Sequence, residues 1–380
     1  MSRKLSAAAT AAAAAVAVAM SATPACGFDS FRNDQWHLQA LNIARAQSFT
    51  AGAGVTVAVV DTGTFPHPDL RRNLLEGTSF VSGEGRSGRV DSSGHGTNMA
   101  ALIGGHGRGK SDGVLGIAPE SKILPVRAFK SDRNVPSAAI GKGIEWAVNH
   151  EAAVVNVSAS VGPAFEVEDA VAAAVSANAI IVASVGNSSQ AAIIGYPAAI
   201  NGVLAVGATD RSGQHAASSV KDPKVDICAP GVDITTAEPT NKYSDVSGTS
   251  PAAAIVSGAA ALVRAKFPKL SGVDVIHRLT ATADDIGPPG RDDECGFGRL
   301  NIVKALTADV PPLDAKTTTS SPRPTTAATP PGGATASATA PQAVPEGSGS
   351  TFAVVMGGIA GIAVAVGALA AARRRRRRKF

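Results

Sequence analysis

Val55-Thr56-Val57-Ala58-Val59-Val60 is a continuous, largely β-branched run that stops at an acid, Asp61. Such a run has no polar face to give to water, so it suits a strand covered on both sides. Ala153 to Val157, Ile180 to Val185 and Val203 to Val206 repeat the pattern. Around them lie helical stretches, Ser137 to His150, Glu166 to Ala177 and Ser250 to Phe267. The alternation predicts an α/β fold, a mostly parallel sheet with helices on both faces. At 44% hydrophobic residues the chain can bury a sizeable core, which excludes wholesale disorder. Only 17% charged residues and 40 glycines exclude a coiled coil. No repeat of 20 to 50 residues is evident. In parallel sheets functional residues gather at the carboxyl ends of strands, where Asp61 and Asn187 sit.

Four segments carry side chains suited to nucleophilic chemistry. Val59-Val60-Asp61-Thr62-Gly63 ends a buried strand with an acid. Ser93-Gly94-His95-Gly96-Thr97 sets a histidine between glycines, ahead of a helical stretch from Asn98 to Ile103. Ser247-Gly248-Thr249-Ser250-Pro251 opens a small-residue helix, with Pro251 suited to its first position. Ile180 to Asn187 ends a strand with an amide. Each has an ordinary explanation alone: a loop-capping acid, a surface histidine, a helix N-cap serine, a turn asparagine. Together they form a set. A serine hydroxyl needs a neutral imidazole to take its proton, and the imidazole needs a carboxylate to fix its tautomer. Asp61, His95 and Ser250 supply these in the order Asp, His, Ser, and Asn187 can donate to a tetrahedral oxyanion.

From Gln35-Trp36 to Leu306 the sequence resembles the subtilisin-family serine proteases. The motifs are Val59-Val60-Asp61-Thr62-Gly63, His67-Pro68-Asp69-Leu70, His95-Gly96-Thr97 and Gly113-Val114-Leu115-Gly116-Ile117-Ala118-Pro119. Gly143-Ile144-Glu145-Trp146-Ala147, Ala229-Pro230-Gly231, Gly248-Thr249-Ser250 and Gly296-Phe297-Gly298 continue the match. The resemblance implies a subtilisin-like three-layer fold. It assigns Asp61, His95 and Ser250 as a triad, with Asn187 and the Ser250 backbone N–H as oxyanion donors. Asn98 stands where a second histidine is frequent, and Pro251 and Ala254 replace the usual Met and Pro. Ser158-Ala159-Ser160 resembles the family's substrate-binding Ser-Leu-Gly. A serine in place of that glycine, with Val185 on the opposite wall and Gly195 as the floor, implies a narrow pocket that prefers small residues before the scissile bond. Asp69 and Gln35 align roughly with calcium ligands of the family, but the loop from Gly104 to Asp112 differs in length and character. No cofactor is expected and no calcium is claimed.

Both ends read as membrane signals. Arg3 and Lys4, the apolar run Ala7 to Met20 and the small residues to Ala25 predict a signal peptide over 1–25. The residues before Cys26 fit a lipoprotein cleavage site poorly. The peptidase domain is expected over 26–309, and too few residues separate Cys26 from Val55 for a folded propeptide. A Thr/Ser/Pro/Ala-rich linker is expected over 310–350, where prolines keep the chain extended. A transmembrane helix is expected over 351–372, since Phe352 to Ala372 carries no charge, and the basic tail 373–380 favours a cytoplasmic end. That tail holds seven positive charges, so the +5 net charge, less those seven, leaves −2 for the rest. A near-neutral body offers no track for phosphates, which excludes nucleic acid. Of three cysteines, Cys228 and Cys295 are the preferred disulfide because both fall inside the body, and no zinc spacing exists.

This order of parts resembles the mycosins, membrane-anchored proteases of type VII secretion in actinobacteria. The expected function is a serine endopeptidase on the outer side of the cell membrane. Its partners would be a polypeptide substrate, the lipid bilayer and membrane components of a type VII secretion system. Two alternatives stay open: a largely structural member of such an assembly with dispensable proteolysis, and an exported esterase using the same triad.

Overall fold

Val57 and Val59 join one apolar cluster while Ala58 and Val60 join another, so the run ending at Asp61 is buried on both faces. The computed structural model describes residues 30–313 except 84, 110–111, 132–134 and 189–192. The expected signal peptide, the linker beyond 313, the membrane segment and the basic tail lie outside the described residues.

Three short helices, α1 (Ser30–Asp34), α2 (Trp36–Ala40) and α3 (Ile43–Gln47), lead into β1 (Thr56–Asp61). Then come β2 (Thr78–Ser79), α4 (His95–Gly104) and a ribbon of β3 (His106–Arg108) and β4 (Asp112–Leu115). The central part runs β5 (Lys122–Arg127), α5 (Ser137–Asn149), β6 (Val154–Val157), α6 (Phe165–Ser176), β7 (Ile180–Ser184), β8 (Val203–Thr209) and β9 (Ile227–Pro230). A hairpin of β10 (Ile234–Glu238) and β11 (Lys242–Val246) feeds the long helix α7 (Thr249–Lys266), and α8 (Gly272–Ala281) and α9 (Ile302–Thr307) follow.

Seven strands form one parallel sheet in the order β2-β5-β1-β6-β7-β8-β9. Residues of α4 and α7 pack in the cluster on one face, and those of α5 and α6 in the cluster on the other. Because β5 and β6 flank β1 on opposite sides, the strand order reverses at β1, and a crevice opens beyond its carboxyl end. Asp61 stands there. Helix α7 is apolar nearly all round, which fits a helix buried in the core. Its Gly258 allows a close approach, since a Cβ would press on Ile117 Cβ at 2.6 Å.

Strand β5 breaks the sequence pattern through Pro125, which removes a ladder donor. The loss is tolerated because Pro125 packs beside Gly77, just before the two-residue β2. Cys228 and Cys295 form a disulfide with Cα atoms 5.0 Å apart and a sequence separation of 67. Closing a loop of that length restricts the unfolded chain by about 4 kcal/mol. Past α9 the chain stays attached to α8. Arg278 donates to the carbonyls of Ala305, Ala308 and Val310, and Leu313 N–H donates to Asp274. No helix among the described residues is long and apolar enough to cross a membrane.

Candidate active site

Asp61 closes β1 with its carboxylate fully buried, where an unpaired charge would be costly. The fold supplies partners. His95 Nδ1 lies 2.8 and 2.9 Å from the two carboxylate oxygens, and Thr62 N–H donates to Oδ1 at 2.7 Å. A carboxylate on Nδ1 fixes the proton there and leaves Nε2 as the basic nitrogen. His95 is the first residue of α4, and its side chain keeps 23% of its surface exposed.

Ser250 stands at the start of α7, but the helix begins earlier than the sequence indicates. Its N-cap is Gly248 and its first residue is Thr249, so Ser250 is the second helical residue and Pro251 the third, not the first. Pro251 costs no intrahelical bond there, because the first four N–H groups of a helix have no acceptor within it. Ser250 is half-buried between the buried Thr249 and Pro251. Its hydroxyl donates to Ser158 O at 3.4 Å, and Ser158 Oγ donates to Ser250 O at 3.3 Å. Gly248 has φ 141°, a conformation that favours glycine, and a Cβ there would lie 3.1 Å from the Asn187 amide. With the Cβ absent, Asn187 rests on the chain and accepts from Thr249 N–H at 3.1 Å.

A cavity of about 850 Å³ brings these residues together. His95, Asn187, Thr249 and Ser250 line it with Ser158, Ala159 and Ser160, and among the described residues His95 is the only ionisable side chain in that lining. Val185 and Gly195 are not part of it. Alternation along the chain puts Ser184 and Gly186 on the cavity and turns Val185 into the core, where it is fully buried. Gly195 lies behind Ser160, since a Cβ there would collide with Ser160 Oγ.

Some contributing residues, or their contacts, escape a sequence reading. Asn156, buried in β6, donates to Ser158 Oγ at 3.0 Å and accepts from Ser257 Oγ on α7 at 3.0 Å. A polar residue inside Val154-Val155-Asn156-Val157 was the available signal. Asn98 donates to Ala237 O at 2.8 Å, docking α4 onto β10. Asp91, beneath the start of α4, had no signal beyond its place four residues before His95.

Asp69 is buried and accepts from Val114 N–H at 2.8 Å and Tyr243 OH at 2.9 Å, with Arg108 Nε at 3.4 Å. Burial, ahead of the neighbouring charges, holds the adjacent His67 ring below its ordinary value. Gln35 clasps Leu115, accepting from its N–H at 2.8 Å and donating to its carbonyl at 3.0 Å. Among the described residues no group of three or more His, Cys, Asp or Glu is arranged to hold a metal.

Residues 52–298 match the family model described as the subtilase family. The chain belongs to that family. It is a serine endopeptidase of the subtilisin type, as the names of its relatives also indicate. Subtilisin BL of Lederbergia lenta is 41% identical over 237 residues, 62% of this chain and 86% of that protein. The thermostable alkaline protease of Halalkalibacterium halodurans is 36% identical over 67% of this chain and 69% of its own length. Among solved structures, MycP1 from Mycobacterium smegmatis aligns with this subtilase at TM-score 0.62 and 30% identity, covering 73% of this chain and 85% of that one. MycP3 from the type VII (ESX-3) secretion system aligns at TM-score 0.61 and 31% identity, covering 72% and 88%. The solved-structure neighbours of this subtilase thus include mycosins.

Proposed function

We propose that this subtilase is a mycosin-like endopeptidase, held in the cell membrane by the segment 351–372 with its catalytic domain outside. In this reading His95 takes the proton of Ser250 as the hydroxyl attacks the peptide carbonyl, while Asp61 orients and stabilises the imidazolium. Asn187 and the Ser250 N–H stabilise the oxyanion. His95 then protonates the leaving amine, and water repeats the cycle to release the acyl group. The observation that carries the reading is the buried Asp61 carboxylate bonded to His95 Nδ1, on a ring that borders the same cavity as Ser250 and Asn187. Ser160, whose side chain fills the space over Gly195, supports a preference for small residues before the scissile bond. A place in type VII secretion is supported by the likeness to MycP1 and MycP3.

Fluorophosphonate labelling of membranes tests the proposal. The wild type should give one labelled band that Ser250→Ala abolishes; a band that survives the substitution overturns the assignment of the nucleophile. A second reading, membership of a secretion assembly with dispensable proteolysis, draws on the description of MycP1 as an essential component of its secretion system. Secretion that fails on deletion but persists in Ser250→Ala would establish it.

A further inference from the structure

Asp91 lies outside the cavity lining, yet its carboxylate gathers five donors. Oδ1 accepts from Thr62 Oγ1 at 2.9 Å, Ser93 N–H at 3.1 Å and Gly94 N–H at 2.8 Å. Oδ2 accepts from Thr97 N–H at 2.9 Å and Thr97 Oγ1 at 2.6 Å. An ionised carboxylate is an acceptor only, and this number of donors suits that state. Two consequences follow from the geometry. First, the N-cap of α4 is Gly94, which has no side chain to offer, so Asp91 caps the helix from three residues upstream. Second, the Thr62 hydroxyl is fixed from both sides, donating to Asp91 and accepting from Gly96 N–H at 2.9 Å. Thr62 also holds Asp61 through its own N–H. One carboxylate therefore clamps the end of β1, which carries Asp61, to the first turn of α4, which carries His95.

We infer that Asp91 is a positioning residue for catalysis, a second buried carboxylate that fixes the His95–Asp61 pair and favours the imidazolium form of His95. The inference rests on the proteolytic reading above. Its physical basis is the direction of the helix dipole. His95 opens α4, where the positive end of the dipole opposes a cation on the ring. A negative charge bonded to that helix start offsets the opposition. Burial raises the Asp91 carboxyl above its ordinary value, while the Thr97 and Gly94 hydrogen bonds pull it back and the Asp61 charge adds to the rise. Other charged groups on the elements around α4 are Arg127 and Lys122 on β5, Asp112 on β4, Glu238 on β10, and Arg264 and Lys266 on α7. Arg127 reaches the same network, donating from Nε to Thr62 O at 3.2 Å. Glu238 precedes Pro239, which packs 3.3 Å from where a Gly94 Cβ would be. Lys122 opens β5 at the end opposite Arg127, and Arg264 and Lys266 sit in the last turn of α7.

The test uses the full chain in detergent and two measurements: the rate of fluorophosphonate labelling against pH, and NMR titration of the His95 ring, assigned with His95→Gln. In Asp91→Asn the ring titration should move down by about half a unit to one unit. The plateau labelling rate should fall about tenfold to a hundredfold, the scale on which small misplacements act. An unmoved ring titration, or a rate loss matching only the unfolded fraction seen by circular dichroism, overturns the inference. If Asp91→Asn does not fold, Thr62→Val and Thr62→Ser decide it. Serine keeps the bridging hydroxyl and should titrate as the wild type, valine should not, and equal behaviour of the two overturns the inference. A wild-type chain that takes no label defeats the proteolytic reading instead, and the ring titration still judges Asp91.

Discussion

Helices α4 and α7 begin alike and are completed by opposite means. Each has a glycine N-cap that makes no side-chain hydrogen bond, Gly94 in one and Gly248 in the other. At α4 the orphan N–H groups meet a carboxylate, Asp91, and the residue presented is the proposed base, His95. At α7 the first N–H meets a neutral amide, Asn187, and the residue presented is the proposed nucleophile, Ser250. The difference follows the charge that each end must tolerate during the reaction. In the proposed mechanism a cation develops at His95, above the carboxylate of Asp91. In the same mechanism an anion develops beside Ser250, and among the described residues the positive end of the α7 dipole meets a neutral amide rather than a carboxylate.

The largest effect should come from exchanging these arrangements. Asn187→Ala removes the neutral donor and should lower kcat about 10²–10³-fold with KM little changed, the loss typical of oxyanion donors in subtilisin. Asn187→Asp should be worse, because it sets a carboxylate where the oxyanion forms. Steady-state kinetics on a peptide substrate check both. If Asn187→Asp kept more activity than Asn187→Ala, charge would not be what separates the two helix starts.

Much of this arrangement was legible in the sequence, where local pattern and chemistry coincide. Asp61 ends an apolar run, His95 sits between glycines and Ser250 precedes a small-residue helix, so strand end and helix start were both visible. What stayed hidden depends on single-residue register or on distant partners. Val185 and Ser184 differ by one step along the chain, and that step decides which faces the cavity. The Asp91 cap depends on how the end of β1 meets the start of α4, and its bond to Thr62 spans a sequence separation of 29, a distance no local pattern reaches. Strand β5 was concealed by Pro125, whose lost donor is excused only by the shortness of β2.

A buried polar group with no compensation is the foil to Asp91. His37 in α2 is fully buried, and neither ring nitrogen has a hydrogen-bond partner among the described residues. Burial pushes its ring down from 6.5 to about 3. The folded state thus holds the ring neutral, while the unfolded chain takes up a proton as pH falls below 6.5. Stability is retained above that value and lost progressively as the pH drops toward 3. By pH 4.5 the loss should be about 2–3 kcal/mol. Urea unfolding at pH 7 and 4.5 measures it, and His37→Leu should remove much of the difference. A difference that stays whole in His37→Leu would move the acid sensitivity to other groups, such as His67.

A smaller effect concerns selectivity on the side of Ser250. Because Ser160 Oγ occupies the space over Gly195, Ser160→Gly should open the cavity there. Peptide-library profiling should then show about a tenfold gain for a leucine-sized residue before the scissile bond, relative to alanine. An unchanged profile would place the size filter elsewhere in the lining.

The smallest effect comes from a helix start that serves no chemistry. Helix α8 has an ordinary capping box, in which Ser271 accepts from Asp274 N–H at 3.0 Å and Asp274 accepts from Ser271 N–H at 3.3 Å. Here the cap side chain sits in the N-cap residue itself, since nothing need be left open for a substrate. Ser271→Ala should cost about 1 kcal/mol of stability and leave kcat of the folded protein at the wild-type value. Denaturant midpoints and kinetics well below the transition read the two quantities separately. A fall in kcat at full folding would mean that α8, packed against α7, transmits its capping to Ser250. The glycine-capped starts of α4 and α7 would then not be the only helix ends that the reaction draws on.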